Sequence, residues 1–256
     1  MNAPMRGSMA ILPALAGLLV LAPVPAAAAA AGAEQSRPTV ADAVADMLRD
    51  GLDLEGVTVT VDGTEATLAG SVPTLWDKTE AINRTLAFPQ VETVASELTV
   101  PEVEDDNEIA REVGRAIINY RYITIWDYVG GGVEDGVVTL NGAVTPDRDK
   151  PAELFERVAR IPGVQDIRMG IAQQSASARD DRLRMEIAAR ALRHPTLSHY
   201  TLTGDIIPPF RIIVDQAVVM LVGSVRSGAE SRILETIARQ AFESEEVRNL
   251  LQYPGR

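Results

Sequence analysis

Apolar residues recur along this chain at two spacings, and the two alternate. Val40, Val44, Met47 and Leu48 fall on one helical face. Thr39 stands at the cap position with Asp42 three residues on, the spacing of a capping box. Gly51 is the expected C-terminal stop. At Val57 the period drops to two: Val57, Val59 and Val61 alternate with Thr58 and Thr60, which predicts a strand with one buried face. Thr67 to Gly70 is its expected hairpin partner. A second helix is predicted from Thr74, with Asp77 three residues on and Leu75, Ile82 and Leu86 facing inward. A last strand runs from Val91 through Val94, Leu98 and Val100. The order is helix, strand, strand, helix, strand.

The same order returns twice. After an acidic, proline-led linker (Pro101 to Asn107), Ile109, Val113, Ala116 and Ile117 share a helical face. Gly130-Gly131-Gly132 stands where a first strand belongs, so that strand is not clean by pattern. Leu154, Phe155, Val158 and Ile161 mark the next helix, and Ile167, Met169 and Ile171 alternate in a last strand. Beyond the polar stretch Gln173 to Ala178, the helix of Leu183, Ile187 and Ala191 ends at Pro195. Phe210, Ile212 and Val214 alternate, Ile233, Leu234, Ile237 and Phe242 form the last helical face, and the strand from Val247 is short. The register is carried by one stretch, Asp135 to Val144, which recurs at Asp62 to Val72 and Asp215 to Val225. Each copy centres on a glycine: Gly70, Gly142 or Gly223. These structural repeat glycines are read as allowing a bend or a close backbone approach. Each is followed by a valine at similar distance (Val91, Val164, Val247), and three residues on by Val94, Ile167 or Leu250. The expected fold is α+β: three tandem modules (38–103, 104–174 and 175–256), each a small sheet with two helices on one face.

Composition narrows the chemistry. The chain has 256 residues, 46% hydrophobic but only 4% aromatic, so its cores must be aliphatic. It has no cysteine, which excludes disulfides, thiolate nucleophiles, cysteine metal sites and a lipoprotein anchor. Residues 1–33 read as a secretory signal: Arg6, an apolar run from Ala10 to Val24, and Ala31-Gly32-Ala33 as the cleavage site. Pro13, Pro23 and Pro25 break that run, which favours cleavage over a membrane anchor. The expected location is the periplasm of a Gram-negative bacterium.

The element Thr-Leu-Xaa-Gly-Xaa-Val at Thr67 to Val72 and Thr139 to Val144, with the closing Val-x-x-aliphatic strand, resembles the BON family, named for bacterial OsmY and nodulation proteins. The third copy departs from the pattern, with Met220 in place of the threonine. The resemblance implies small α+β modules of the bacterial envelope, linked to phospholipid or membrane-surface binding, to osmotic stress and, in some members, to assisting outer-membrane proteins.

Charge is uneven. The net charge of −12 divides into −9 over 38–103, −5 over 104–174 and +1 over 175–256, with +1 from residues 1–37. Nucleic acid is a poor partner for so acidic a chain. An anionic membrane would meet the third module first, through Arg226, Arg232 and Arg239 in or beside its second helix; the alternative is a solvated face with local ion pairs. Tyr120, Tyr122, Trp126 and Tyr128 stand at even spacing, and in a strand all would face one way. Such a face suits either packing or an interfacial patch for headgroups or unfolded polypeptide. His194 and His199, the only histidines, straddle Pro195 without further ligands nearby, so no metal is expected. No nucleophile elbow, phosphate loop or metalloprotease motif occurs, and neither catalysis nor a cofactor is expected. The expected function is engagement of phospholipid or membrane surfaces, with a periplasmic chaperone-like role or an adaptor for a protein partner or the cell wall as alternatives.

Overall fold

Thr39 opens the described chain by closing the capping box its spacing predicts: its hydroxyl accepts from the Asp42 N–H, and the Asp42 carboxylate accepts from the Thr39 N–H at 2.9 Å. A cap of this kind contributes about 1 kcal/mol. The computed structural model describes residues 39–103, 105–200 and 207–255; the signal segment lies outside them. The first module is α1 (Val40–Leu52), β1 (Val57–Asp62), β2 (Glu65–Ser71), α2 (Leu75–Leu86) and β3 (Thr93–Thr99). The second is α3 (Asp106–Ile118), β4 (Tyr128–Glu134), β5 (Val137–Val144), α4 (Lys150–Ala159) and β6 (Asp166–Gln173). The third is α5 (Ala178–Arg193), β7 (Phe210–Asp215), β8 (Val218–Gly223), α6 (Gly228–Arg239) and β9 (Glu246–Asn249).

Each module forms one three-stranded sheet with the hairpin's second strand in the middle. The first strand pairs antiparallel to it, and the last returns through a helix to pair parallel. Helix faces and inward strand positions meet in aliphatic cores: Val44, Leu48, Leu68 and Leu98 in the first, Ile109, Val113, Val138 and Leu140 in the second, Ile187, Ile212, Leu221 and Leu234 in the third.

Several local expectations are corrected. Gly51 does not end α1; the helix runs one residue further, and Asp53 takes the left-handed capping conformation at φ 57°. Leu86 and Phe242, expected inward, are exposed, because Ala81 and Thr85 fill the inner face of α2 and Phe242 lies beyond the end of α6. The three glycines do form a strand: β4 passes through Gly130, Gly131 and Gly132 in full register with β5. The tight turn of the first hairpin is Gly63-Thr64, since Asp62 still pairs with Glu65. That turn aligns with Asp135-Gly136 and Gln216-Ala217 in the other two. The parallel register also moves the third copy. Val94, Ile167 and Val247 pair with Ala66, Val138 and Val219. Val247 is therefore the counterpart of Val94 and Ile167, not of Val91 and Val164.

The repeat glycines occupy one position in all three sheets, opposite Val57, Val129 and Phe210. Their φ angles are 138°, 153° and 105°. A Cβ on Gly142 would come within 1.9 Å of the Tyr128 carbonyl oxygen, and one on Gly223 within 2.3 Å of that of Pro209. Close backbone approach of the first strand accounts for the glycine.

Candidate binding surfaces

The stretch from Asn119 to Asp127 is two consecutive turns, not a strand. The Ile123 N–H donates to the Tyr120 carbonyl and the Asp127 N–H to that of Thr124. The four aromatic residues therefore point to different places, which corrects the expectation of one shared face. Tyr120 is buried in the second module, its hydroxyl donating to Glu153 at 2.7 Å. That hydrogen bond, with one from Arg148, holds the Glu153 carboxyl below its ordinary range. Burial and the same carboxylate push the Tyr120 hydroxyl up. Tyr122 meets Tyr120 edge-on and lies under the Arg148 guanidinium, 3.4 Å from its ring centre. Trp126 packs against the core of the third module. Only Tyr128 is in a strand, and it is exposed.

What fixes the turns is a buried ion pair that no sequence motif announced. Asp127 and Lys150 are both fully buried, with the ammonium 2.9 Å from the carboxylate. Asp127 also accepts from the Thr124 and Thr145 backbone N–H groups at 2.8 and 2.7 Å. The one readable signal was Thr124 three residues before Asp127, a capping-type spacing; the lysine lies 23 positions further on.

These turns join the second module to the third. Ile125 is buried in the third module's core, and its carbonyl accepts from the Ile212 N–H on the outer edge of β7 at 2.9 Å. Gln174 donates to the Trp126 carbonyl and accepts from buried Arg184, which also donates to the Val214 carbonyl. Beside this junction lies a cleft of about 470 Å3, lined mainly by Ile117, Ile118, Ile123, Tyr128, Pro209 and Arg211. Burial lowers the pKa of the Arg211 guanidinium there.

The three arginines singled out by charge are exposed but are not one cluster. Arg226 precedes α6 and sits over the Tyr200 ring, whereas Arg239 closes α6 in an ion pair with Glu235. The 12-residue helix, about 18 Å long, separates them. A second basic group gathers beside the far end. Arg190 donates to the Gln240 carbonyl, and Arg182 pairs with Glu243. Between these anchors Phe242 projects, 80% exposed, with Met185 on α5 64% exposed. The histidines serve locally: His194 Nδ1 accepts from the Thr196 N–H, and His199 lies 3.6 Å from Glu230. Among the described residues no group of three histidine or acidic side chains is placed to hold a metal, and no helix is long and apolar enough to cross a membrane.

No curated protein matches this chain. Among solved structures it is similar to CdsD, a structural protein of the type III secretion system of Chlamydia trachomatis. The identity is 11% with a TM-score of 0.23, covering 83% of this chain and 92% of that one. The C-terminal domain of the same protein aligns at 13% identity and a TM-score of 0.22, covering 80% of this chain and 93% of that one. By sequence, residues 37–102, which span the first module, match the BON domain family.

Proposed function

We propose that this chain is a non-enzymatic, exported binding protein of the bacterial envelope, built of three BON-like modules, that engages anionic phospholipid surfaces through its third module. The carrying observation is Phe242. A ring held 80% exposed costs solvation unless it has an apolar destination, and Arg190 and Arg182 reach its chain neighbours, at the Gln240 carbonyl and the Glu243 carboxylate; Arg190 and Arg239 are also paired, with Glu186 and Glu235. An exposed apolar side chain with arginines on the elements beside it suits the boundary between headgroups and acyl chains. Charge agrees: the third module is the only one without a net negative charge. Residues 1–33 are the export signal, the periplasm is the location, and osmotic or envelope stress is the setting.

The test is co-flotation of the chain from Glu34 onward with vesicles of neutral or anionic phospholipid at low and high salt. The expected result is flotation with anionic vesicles only, lost at high salt. Phe242→Glu should cut the floated fraction at least tenfold, and charge reversal of Arg226, Arg232 and Arg239 together should abolish it. Absence of flotation in every condition overturns the reading. Suppression of client aggregation without lipid would then favour a chaperone-like role, and one stable partner in a pull-down an adaptor.

A further inference from the structure

The second module leaves open a place that the third has filled. Val59, Gly131 and Ile212 are counterparts in their hairpins, paired with Leu68, Leu140 and Leu221. Valine and isoleucine put side chains inward at this position; Gly131 puts none. A Cβ there would come within 1.7 Å of the Thr139 carbonyl oxygen, so the vacancy is built into the strand pairing. It forms a groove of about 270 Å3 between α3 and β4, floored by Val113, Ile117 and Leu140. Ile118 stands 82% exposed beside it.

The groove lies along an open strand edge. β4 pairs only with β5. Among the described residues no backbone group bonds its outer edge between Val129 and Val133. Natural sheets shield such edges with charge, proline or bulges; this one presents three glycines. At the matching edge of the third module, the Ile212 N–H donates to the Ile125 carbonyl, and the Ile125 side chain enters the core. By the shared register Gly131 turns its own N–H outward in the same way.

We infer that the α3–β4 groove is a docking site for an extended segment of a partner polypeptide, which bonds the β4 edge as the Ile125 carbonyl bonds that of β7 and places a β-branched aliphatic side chain in the vacancy that Ile212 fills from within its own strand in the third module. Strand addition supplies backbone hydrogen bonds, and a pocket for alternate side chains supplies selectivity. The groove is continuous with the junction of the second and third modules, sharing Ile117, Ile118 and Val129 with the cleft there. Thirteen acidic residues against eight basic ones in 104–174 favour a segment with basic flanks. This site does not depend on the lipid reading.

The probe is a fluorescein-labelled peptide, Lys-Thr-Ile-Thr-Ile-Thr-Lys, titrated with the chain from Glu34 onward and followed by anisotropy. Saturable binding is expected. A Cβ on Gly114 meets only open space, so Gly114→Leu fills the groove from the helix side without strain. It should weaken binding at least tenfold while raising or preserving the melting temperature, and Gly114→Ala should stay within twofold. Ala110→Leu, one turn earlier on the same helical wall of the groove, should also weaken binding. Of two peptides N-methylated on alternate residues, the one whose N–H groups face the edge should lose binding. No binding by the unaltered chain, equal binding by Gly114→Leu, or indifference to both methylation patterns would overturn the inference.

Discussion

Lys150 is a charged side chain with no exposed surface, and its ammonium is met from several sides: by both Asp127 oxygens at 3.0 and 2.9 Å, by Thr145 at 2.6 Å and by Asp147 at 2.9 Å. Burying two opposite charges is costly, and removing one partner leaves the other uncompensated. Lys150→Met is therefore expected to destabilise the protein by about 3–5 kcal/mol, read by urea denaturation. The double variant with Asp127→Asn should cost less than Lys150→Met alone. Nothing in local pattern distinguishes Lys150 from a surface lysine. It begins α4 next to Pro151, where sequence reasoning expects a solvated charge. Only the fold, by bringing the Thr124 turn against the Thr145 loop, makes it the centre of a network.

At the scale of elements, the hairpin turns show how one module compensates for residues another does not need. Gln216 and Ala217 sit at φ 49° and 63°, a conformation that suits glycine and asparagine. The third module holds them there with Asp180 on the first turn of α5, whose two oxygens accept from both N–H groups at 3.0 and 2.9 Å. Asp106 on α3 does the same for Asp135 and Gly136, at 2.8 and 2.9 Å. Asp180→Ala should cost about 1–3 kcal/mol in thermal unfolding. Asp106→Ala should cost less, because Gly136 tolerates its turn unaided and Asp106 is less buried. Placing Asn-Gly at 216 and 217 should recover part of the Asp180→Ala loss. Asp-Gly is a tight-turn pair, so two of the three turns are legible in the sequence, whereas Gln216-Ala217 carries no such signal. The exact register is not legible, since Asp62-Gly63 and Asp135-Gly136 look alike in sequence and differ by one residue in pairing.

At the scale of the molecule, the modules are not beads on linkers; residues 38–256 cohere. Ile125 belongs by sequence to the second module and by packing to the third. Ile125→Ala should cost about 2–5 kcal/mol. The change should appear in amide hydrogen exchange as lost protection along β7 and β8, with β1 to β3 unaffected. Exchange confined to the second module would contradict this placement. The same cohesion changes how binding surfaces relate: the basic end of α6 and the α3–β4 groove are held by packing, so tandem sites are not free to find separate partners by linker motion.

What the sequence by itself determined is the sort of information that lies within a few residues or repeats at a fixed interval. Helical and alternating periods, the Thr39 and Thr74 caps, the tandem glycines and the order of elements all follow from local spacing, because local sterics and one buried face are enough to specify them. The tertiary structure decided whatever depends on residues far apart in the chain. It turned an evenly spaced aromatic run into turns, because Asp127 finds Lys150 and Thr145. It made a strand of three glycines, because β5 supplies the pairing. It exposed Phe242, because α6 ends before it. And it left a groove at Gly131, because only superposed registers reveal which side chain is missing.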